Sequence, residues 1–140
     1  MKMILTTILI LFSLTLKAPD IKVCYIEIPE VINPYIRILE AVIAVESAGN
    51  PLAYNEKEGA TGIVQIRQIR LDDYNQLSSN SYKLEEMFDS TKSVTVFMFY
   101  ACKFRYDDYE GISKDWNKSV TDKYWKRVHN KLINAQHNTI

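Results

Sequence analysis

Four residues at helical spacing carry the clearest chemistry in this chain. Leu39, Val42, Ile43 and Glu46 fall at i, i+3, i+4 and i+7, so a helix would set them on one face. Three are apolar, and the fourth is a carboxylate at the C-terminal end of the stripe. A carboxyl on a core-facing stripe is costly to bury charged, so it must find partners or hold its proton more tightly. The negative end of the helix dipole acts in the same direction. A carboxyl kept protonated at the lip of an apolar wall is what a general acid for cleaving a glycosidic bond requires. A glutamate that turns out to water where a helix frays has the same spacing, so the stripe alone leaves both readings open. Glu40 lies off the stripe and reads as a solvated residue.

The elements that must position Glu46 follow from the punctuation around it. Asn33 can cap a helix and Pro34 suits its first position, with the helix running through Tyr35 to about Ser47. Gly49 is the expected stop, and Pro51 blocks continuation. Gly59 and Gly62 then stand close together, before Ile63-Val64-Gln65-Ile66. This pattern predicts a loop leading into a short strand or tight turn that folds back beside the glutamate. A short helix is expected over 71–77 and polar loop over 78–82. Asp89 or Ser90 caps a second long helix with Val94, Phe97, Met98, Ala101 and Phe104 as its buried face. A shorter helix is expected within 107–117. The last starts near Ser119 or Thr121, with Val120, Tyr124, Val128 and Leu132 on one side. The expectation is one α+β domain, predominantly α-helical, with a small β or irregular element beside the first helix.

Composition narrows the function classes. The chain has 140 residues, enough for one domain, and 17 Lys plus Arg balance 17 Asp plus Glu. That neutral balance gives no electrostatic footprint for nucleic acid, and no charge block marks a polybasic patch. Met1-Lys2-Met3 precedes an apolar run from Ile4 to Leu16. Spanning a bilayer takes about 20 apolar residues, whereas a secretory core needs only about 7–15. Residues 1–18 therefore read as a signal peptide or an uncleaved signal anchor, and the protein as exported, periplasmic or extracellular. Residues 19–33 form a lead in which 23–31 could be strand or extended chain, 34–133 the domain, and 134–140 a frayed tail. Lys22-Val23 before Cys24 do not fit a lipidation site. Cys102 is expected as a small buried hydrophobe, with a Cys24–Cys102 disulfide the alternative. The cysteines, His129 and His137 lack metal-site spacing, and no cofactor is implied.

Residues 46–66 bring these features together. They read Glu46-Ser47, Asn50-Pro51, Ala53, then Gly59-Ala60-Thr61-Gly62-Ile63-Val64-Gln65-Ile66. The segment resembles the lytic transglycosylases of the soluble transglycosylase type, members of the lysozyme-like superfamily. Their motif is Glu-Ser, then Asn-Pro-x-Ala, then Gly-Ala-x-Gly-Leu-Met-Gln. Asp115-Trp116-Asn117 is similar to that family's Tyr-Asn or Trp-Asn segment, and Thr121-x-x-Tyr124-x-x-x-Val128 to its closing helix, so the likeness spans about residues 35–130. The chain departs from the pattern by one residue more between Asn55 and Gly59, a mild loop insertion. It departs again at Lys118-Ser119, where the family has small residues.

The resemblance implies a lysozyme-like fold and cleavage of the β-1,4 bond between N-acetylmuramic acid and N-acetylglucosamine, leaving a 1,6-anhydro ring. It implies Glu46 as the catalytic acid and base, Ser47 as a cleft-lining serine, and Gln65 as a side chain facing the site. Trp116 and Asn117 would lie near the glutamate, and Tyr124 would be the aromatic of the final helix. Tyr54, Trp116 and Tyr124 could stack on sugar faces or simply pack. The implied partner is the peptidoglycan glycan strand, with an envelope-spanning apparatus or a phage particle as candidate settings for an enzyme expected to be monomeric. Asp72, Asp73, Asp107 and Asp108 read as solvated. Should one of them face Glu46, a hydrolytic lysozyme becomes the reading. A glycan-binding or envelope-assembly protein without activity is the remaining alternative.

Overall fold

The computed structural model describes residues 33–119 and 121–137. The N-terminal apolar run, the 19–32 lead, Cys24 and Val120 lie outside the described residues. The elements are α1 (Ile36–Glu46), β1 (Tyr54–Asn55), β2 (Ala60–Thr61), α2 (Gln68–Ser78), a 3-10 turn (Leu84–Phe88), α3 (Ser90–Ala101), α4 (Tyr109–Trp116) and α5 (Thr121–His137). This is the mainly helical α+β arrangement expected, with one antiparallel pair of short strands.

Helix α1 buries Ile38, Leu39, Ala41 and Val42, which carries its C-terminal end to the rim of the core. It starts after a turn in which the Asn33 side chain accepts the Tyr35 N–H at 3.0 Å. The helix therefore begins two positions later than the expected Asn33 cap: Tyr35 holds the N-cap position without a side-chain cap, and Asn33 and Pro34 belong to the preceding turn. The Tyr35 hydroxyl donates to the Phe104 carbonyl at 2.9 Å, tying the start of α1 to the chain beyond α3.

After α1 the chain doubles back tightly. Tyr54 pairs with Thr61 and Asn55 with Ala60, while Thr61 also bridges Ile66 on its other side. Between Thr61 and Ile66 lies a turn entered through Gly62 at φ +82°. A Cβ at Gly62 would stand 1.9 Å from the Met87 carbonyl oxygen, so both conformation and space demand glycine there. The Ser47 hydroxyl donates to the Ile63 carbonyl at 2.7 Å and fixes the end of α1 to this turn.

Helix α3 is capped by Asp89, whose carboxylate accepts the Thr91 and Lys92 N–H groups. Its buried face is Ser93, Val96, Phe97, Tyr100 and Ala101, which keeps Phe97 and Ala101 from the sequence reading and turns the rest of the face by one position. Val94 and Met98 are only half-buried, and Phe104 lies past the helix end. Two contacts set this rotation: small Ser93 sits beneath the Gly62 turn, and the Tyr100 hydroxyl reaches the Arg70 carbonyl at 3.1 Å. Cys102, expected to be buried, is exposed just beyond α3. Tyr124, Val128 and Leu132 are the buried stripe of α5, as their spacing predicts. That helix continues through His137, into the segment expected to fray.

Candidate active site

Glu46 is the last residue of α1 and is half-buried. The Tyr124 hydroxyl, on α5, donates to its Oε1 at 2.7 Å. One helical turn further along α5, Arg127 donates through Nη2 to the Val45 carbonyl at 2.9 Å, covering one of the open acceptors at the C-terminal end of α1. Burial pushes the Glu46 carboxyl above its ordinary range. The Tyr124 hydrogen bond and the Arg127 guanidinium oppose that rise, Glu58 adds to it, and Arg67 opposes it. The Tyr124 hydroxyl is itself pushed well up, chiefly by burial and then by Glu46, so it stays a donor to the carboxyl.

Glu46 opens on a cleft of about 620 Å³, within the range of pre-formed ligand sites. Gln65, Trp116 and Asn117 share its wall. Gln65 holds a left-handed backbone, φ +55°, and its side-chain amide donates to the Gly62 carbonyl at 2.9 Å and to the Ala53 carbonyl at 3.1 Å. It therefore staples the turn that forms one lip of the cleft. Trp116 is 93% buried, 7% of its surface remaining open, and packs edge-on against Phe97 with centroids 5.0 Å apart. It is a core aromatic with one edge in the cleft rather than an open stacking platform.

Three expected contributors stand elsewhere. Ser47 does not line the cleft, because its hydroxyl is committed to the Ile63 and Ile43 carbonyls. Tyr54 is exposed on β1 and does not line it either. Tyr124 presents its hydroxyl to Glu46 but is too buried, at 2% exposure, to stack on a ligand.

Sequence reasoning missed other members. Glu58, in the turn between β1 and β2, lines the cleft and pairs with Arg67 at 3.6 Å. Asp73 on α2 also lines it, accepting the Tyr100 hydroxyl at 2.6 Å. Two more carboxylates thus line the cleft: Asp73 is exposed, as its polar surroundings predict, and Glu58 is the one that acts electrostatically on Glu46. Arg70 donates to the Asp115 and Trp116 carbonyls at 2.6 and 3.1 Å and lies over the Tyr100 ring at 4.3 Å. It closes the C-terminal end of α4 and so fixes Trp116 and Asn117. The i, i+3 spacing of Arg70 and Asp73 is visible in the sequence, but their partners are 45 and 27 residues away.

Residues 33–121 match the family model described as transglycosylase SLT domain. No curated protein matches the chain, and no solved structure does. The match covers α1, the hairpin, α2, α3 and α4, and ends as α5 begins, so it holds Glu46 and all the residues that line the cleft but not Tyr124.

Proposed function

The chain belongs to the transglycosylase SLT domain family, a glycan-processing, lysozyme-like family, and from that membership and the site geometry we propose that it is a peptidoglycan lytic transglycosylase with Glu46 as its acid and base. The observation that carries the proposal is Glu46 itself: half-buried on the cleft wall, shifted toward its protonated form, and held by the Tyr124 hydroxyl. Glu46 gives its proton to the glycosidic oxygen as the C1–O bond breaks between N-acetylmuramic acid and N-acetylglucosamine. The resulting carboxylate takes the proton from the muramyl 6-hydroxyl, whose oxygen bonds to C1 and closes the 1,6-anhydro ring. The substrate's own acetamido carbonyl can share the developing charge. Water is not consumed, so a second carboxylate is not needed for the chemistry.

Glu58 supports a second reading. It lines the same cleft and acts electrostatically on Glu46, so it could orient a water for hydrolysis, which would make the enzyme a muramidase. Its ion pair with Arg67 and its exposure argue against a dedicated base. Mass spectrometry of digested peptidoglycan separates the two readings. Anhydromuropeptides are expected; reducing-end products would favour the hydrolase, and no release of fragments would overturn both. The run Ile4–Leu16 supports delivery of the enzyme to the wall, either freed from that segment or anchored by it.

A further inference from the structure

The Glu46 mechanism leaves one part of the cleft unexplained, the edge that α2 contributes. Ile69 and Asp73 stand at i and i+4 on that helix, hence on one face, and both line the cleft. Ile69 is 78% exposed. A scattered surface isoleucine would be unremarkable, but this one sits on a concave wall, one helical turn from a carboxylate that is itself held in place. The Tyr100 hydroxyl donates to Asp73 Oδ2 at 2.6 Å and to the Arg70 carbonyl at 3.1 Å. No lysine or arginine among the described residues forms an ion pair with Asp73. The nearest candidate in sequence, Arg70, is turned instead to Asp115 and the Trp116 carbonyl. Glu58, by contrast, already has Arg67, and Asp72 accepts from Gln68 at 2.7 Å. Asp73 is thus held by the Tyr100 hydroxyl, without an ion-pair partner among the described residues, and open to the cleft beside an apolar side chain.

We propose that Ile69 and Asp73 form a subsite for the acetamido group of an N-acetylated sugar, Asp73 accepting its N–H and Ile69 covering its methyl. An acetamido group is a trans amide, and in that geometry the N–H and the methyl project from the same edge. A hydrogen-bond acceptor next to an apolar side chain therefore reads both at once, as a sugar hydroxyl, with no methyl beside it, would not be read. The exposed Ile69 surface is covered when the methyl docks, which is favourable in proportion to the area removed from water. Trp116, whose open edge lies on the same cleft, adds apolar wall. The subsite rests on the glycan-cleaving reading above and adds to it a pair of ligand-contacting residues that the catalytic step does not use.

The test is binding rather than turnover. In an E46Q background, which prevents cleavage, affinities are measured by calorimetry or NMR titration for chitotetraose and for cellotetraose, which differ in the acetamido group. A hydrogen bond to a carboxylate is worth enough that chitotetraose should be preferred by about tenfold. D73A should abolish that preference and I69S should reduce it, with cellotetraose affinity unchanged in both. Both residues are exposed, so circular dichroism should report intact folding. Equal loss for the two sugars, or an undiminished preference in D73A, would overturn the acetamido assignment. Peptidoglycan digestion by the wild-type chain, run in parallel, keeps the two proposals apart. Digestion with no chitotetraose preference sinks the subsite alone, whereas absence of both digestion and binding sinks the enzyme reading and the subsite with it.

Discussion

Two walls of the cleft are built from the same three kinds of side chain. On one, Tyr124 donates to Glu46 and Arg127 closes the C-terminal end of α1. On the other, Tyr100 donates to Asp73 and Arg70 closes the C-terminal end of α4. The difference is depth. Glu46 is sunk into the junction of α1 and α5, and burial raises its affinity for a proton; Asp73 stands on the exposed side of α2. A carboxylate, a tyrosine and an arginine therefore do not define a role. Solvent access does, because desolvation penalises the charged form and open water does not. The first wall is suited to delivering a proton and the second to receiving a ligand's hydrogen bonds.

The contrast can be broken at several points. Glu46→Gln should reduce peptidoglycan digestion by roughly 10²–10⁴-fold, the usual contribution of a positioned acid. The same variant should melt higher than wild type at neutral pH. A carboxyl whose folded affinity for a proton is raised contributes stability that is present below the ordinary carboxylate range and is lost as pH rises through the folded value. The difference in Tm should accordingly vanish in acid; a variant less stable at neutral pH would mean that burial of the charge is not the dominant effect.

Gly62→Ala disturbs the frame that both walls share. Its Cβ would meet the Met87 carbonyl at 1.9 Å with φ at +82°, so chemical denaturation should report a loss of roughly 3 kcal/mol or more. Arg70→Met removes charged hydrogen bonds to two carbonyls and the contact with the Tyr100 ring, for a loss of roughly 2–3 kcal/mol. Because this acts on the Asp73 wall, the pH dependence of activity should stay in place while KM rises.

The tyrosines give the sharpest comparison. Tyr124→Phe removes the hydrogen bond that holds the Glu46 carboxyl in place, so kcat should fall by about tenfold through lost positioning. The same bond also lowers the proton affinity of Glu46. The high-pH limb, where the acid loses its proton, should move upward. Tyr100→Phe should leave that limb unmoved and act on KM. Identical pH profiles for the two variants would erase the distinction between the walls. Arg127→Met should move the limb upward by less than Tyr124→Phe, since its effect on Glu46 is purely electrostatic and ranks below the hydrogen bond.

The chain's own order of residues determined the local features. The stripe Leu39-Val42-Ile43-Glu46, the positive φ at Gly59 and Gly62, the Asp89 cap and the Tyr124-Val128-Leu132 stripe all follow from periodicity and backbone stereochemistry acting within a few residues. The segment from Glu46 to Gln65 marked the family by the order and types of its residues, through resemblance. Tertiary structure decided what those residues touch. The register of α3 turned by one position because Ser93 must fit beneath Gly62 and Tyr100 must reach α2, neither of which is encoded in a stripe of apolar residues. Ser47 looked like a cleft residue and became a tie to Ile63, while Tyr124 looked like a stacking aromatic and became a hydrogen-bond donor to Glu46. Cys102 lost its expected burial at a helix end. Glu58 and Asp73 entered the cleft because a hairpin turn and α2 converge there. Glu46 could be picked out from three apolar neighbours, but its proton affinity depends on burial beneath α5 and on groups 12 to 81 positions away along the chain. Spacing along a chain specifies which face a residue occupies; only packing specifies how much water that face retains.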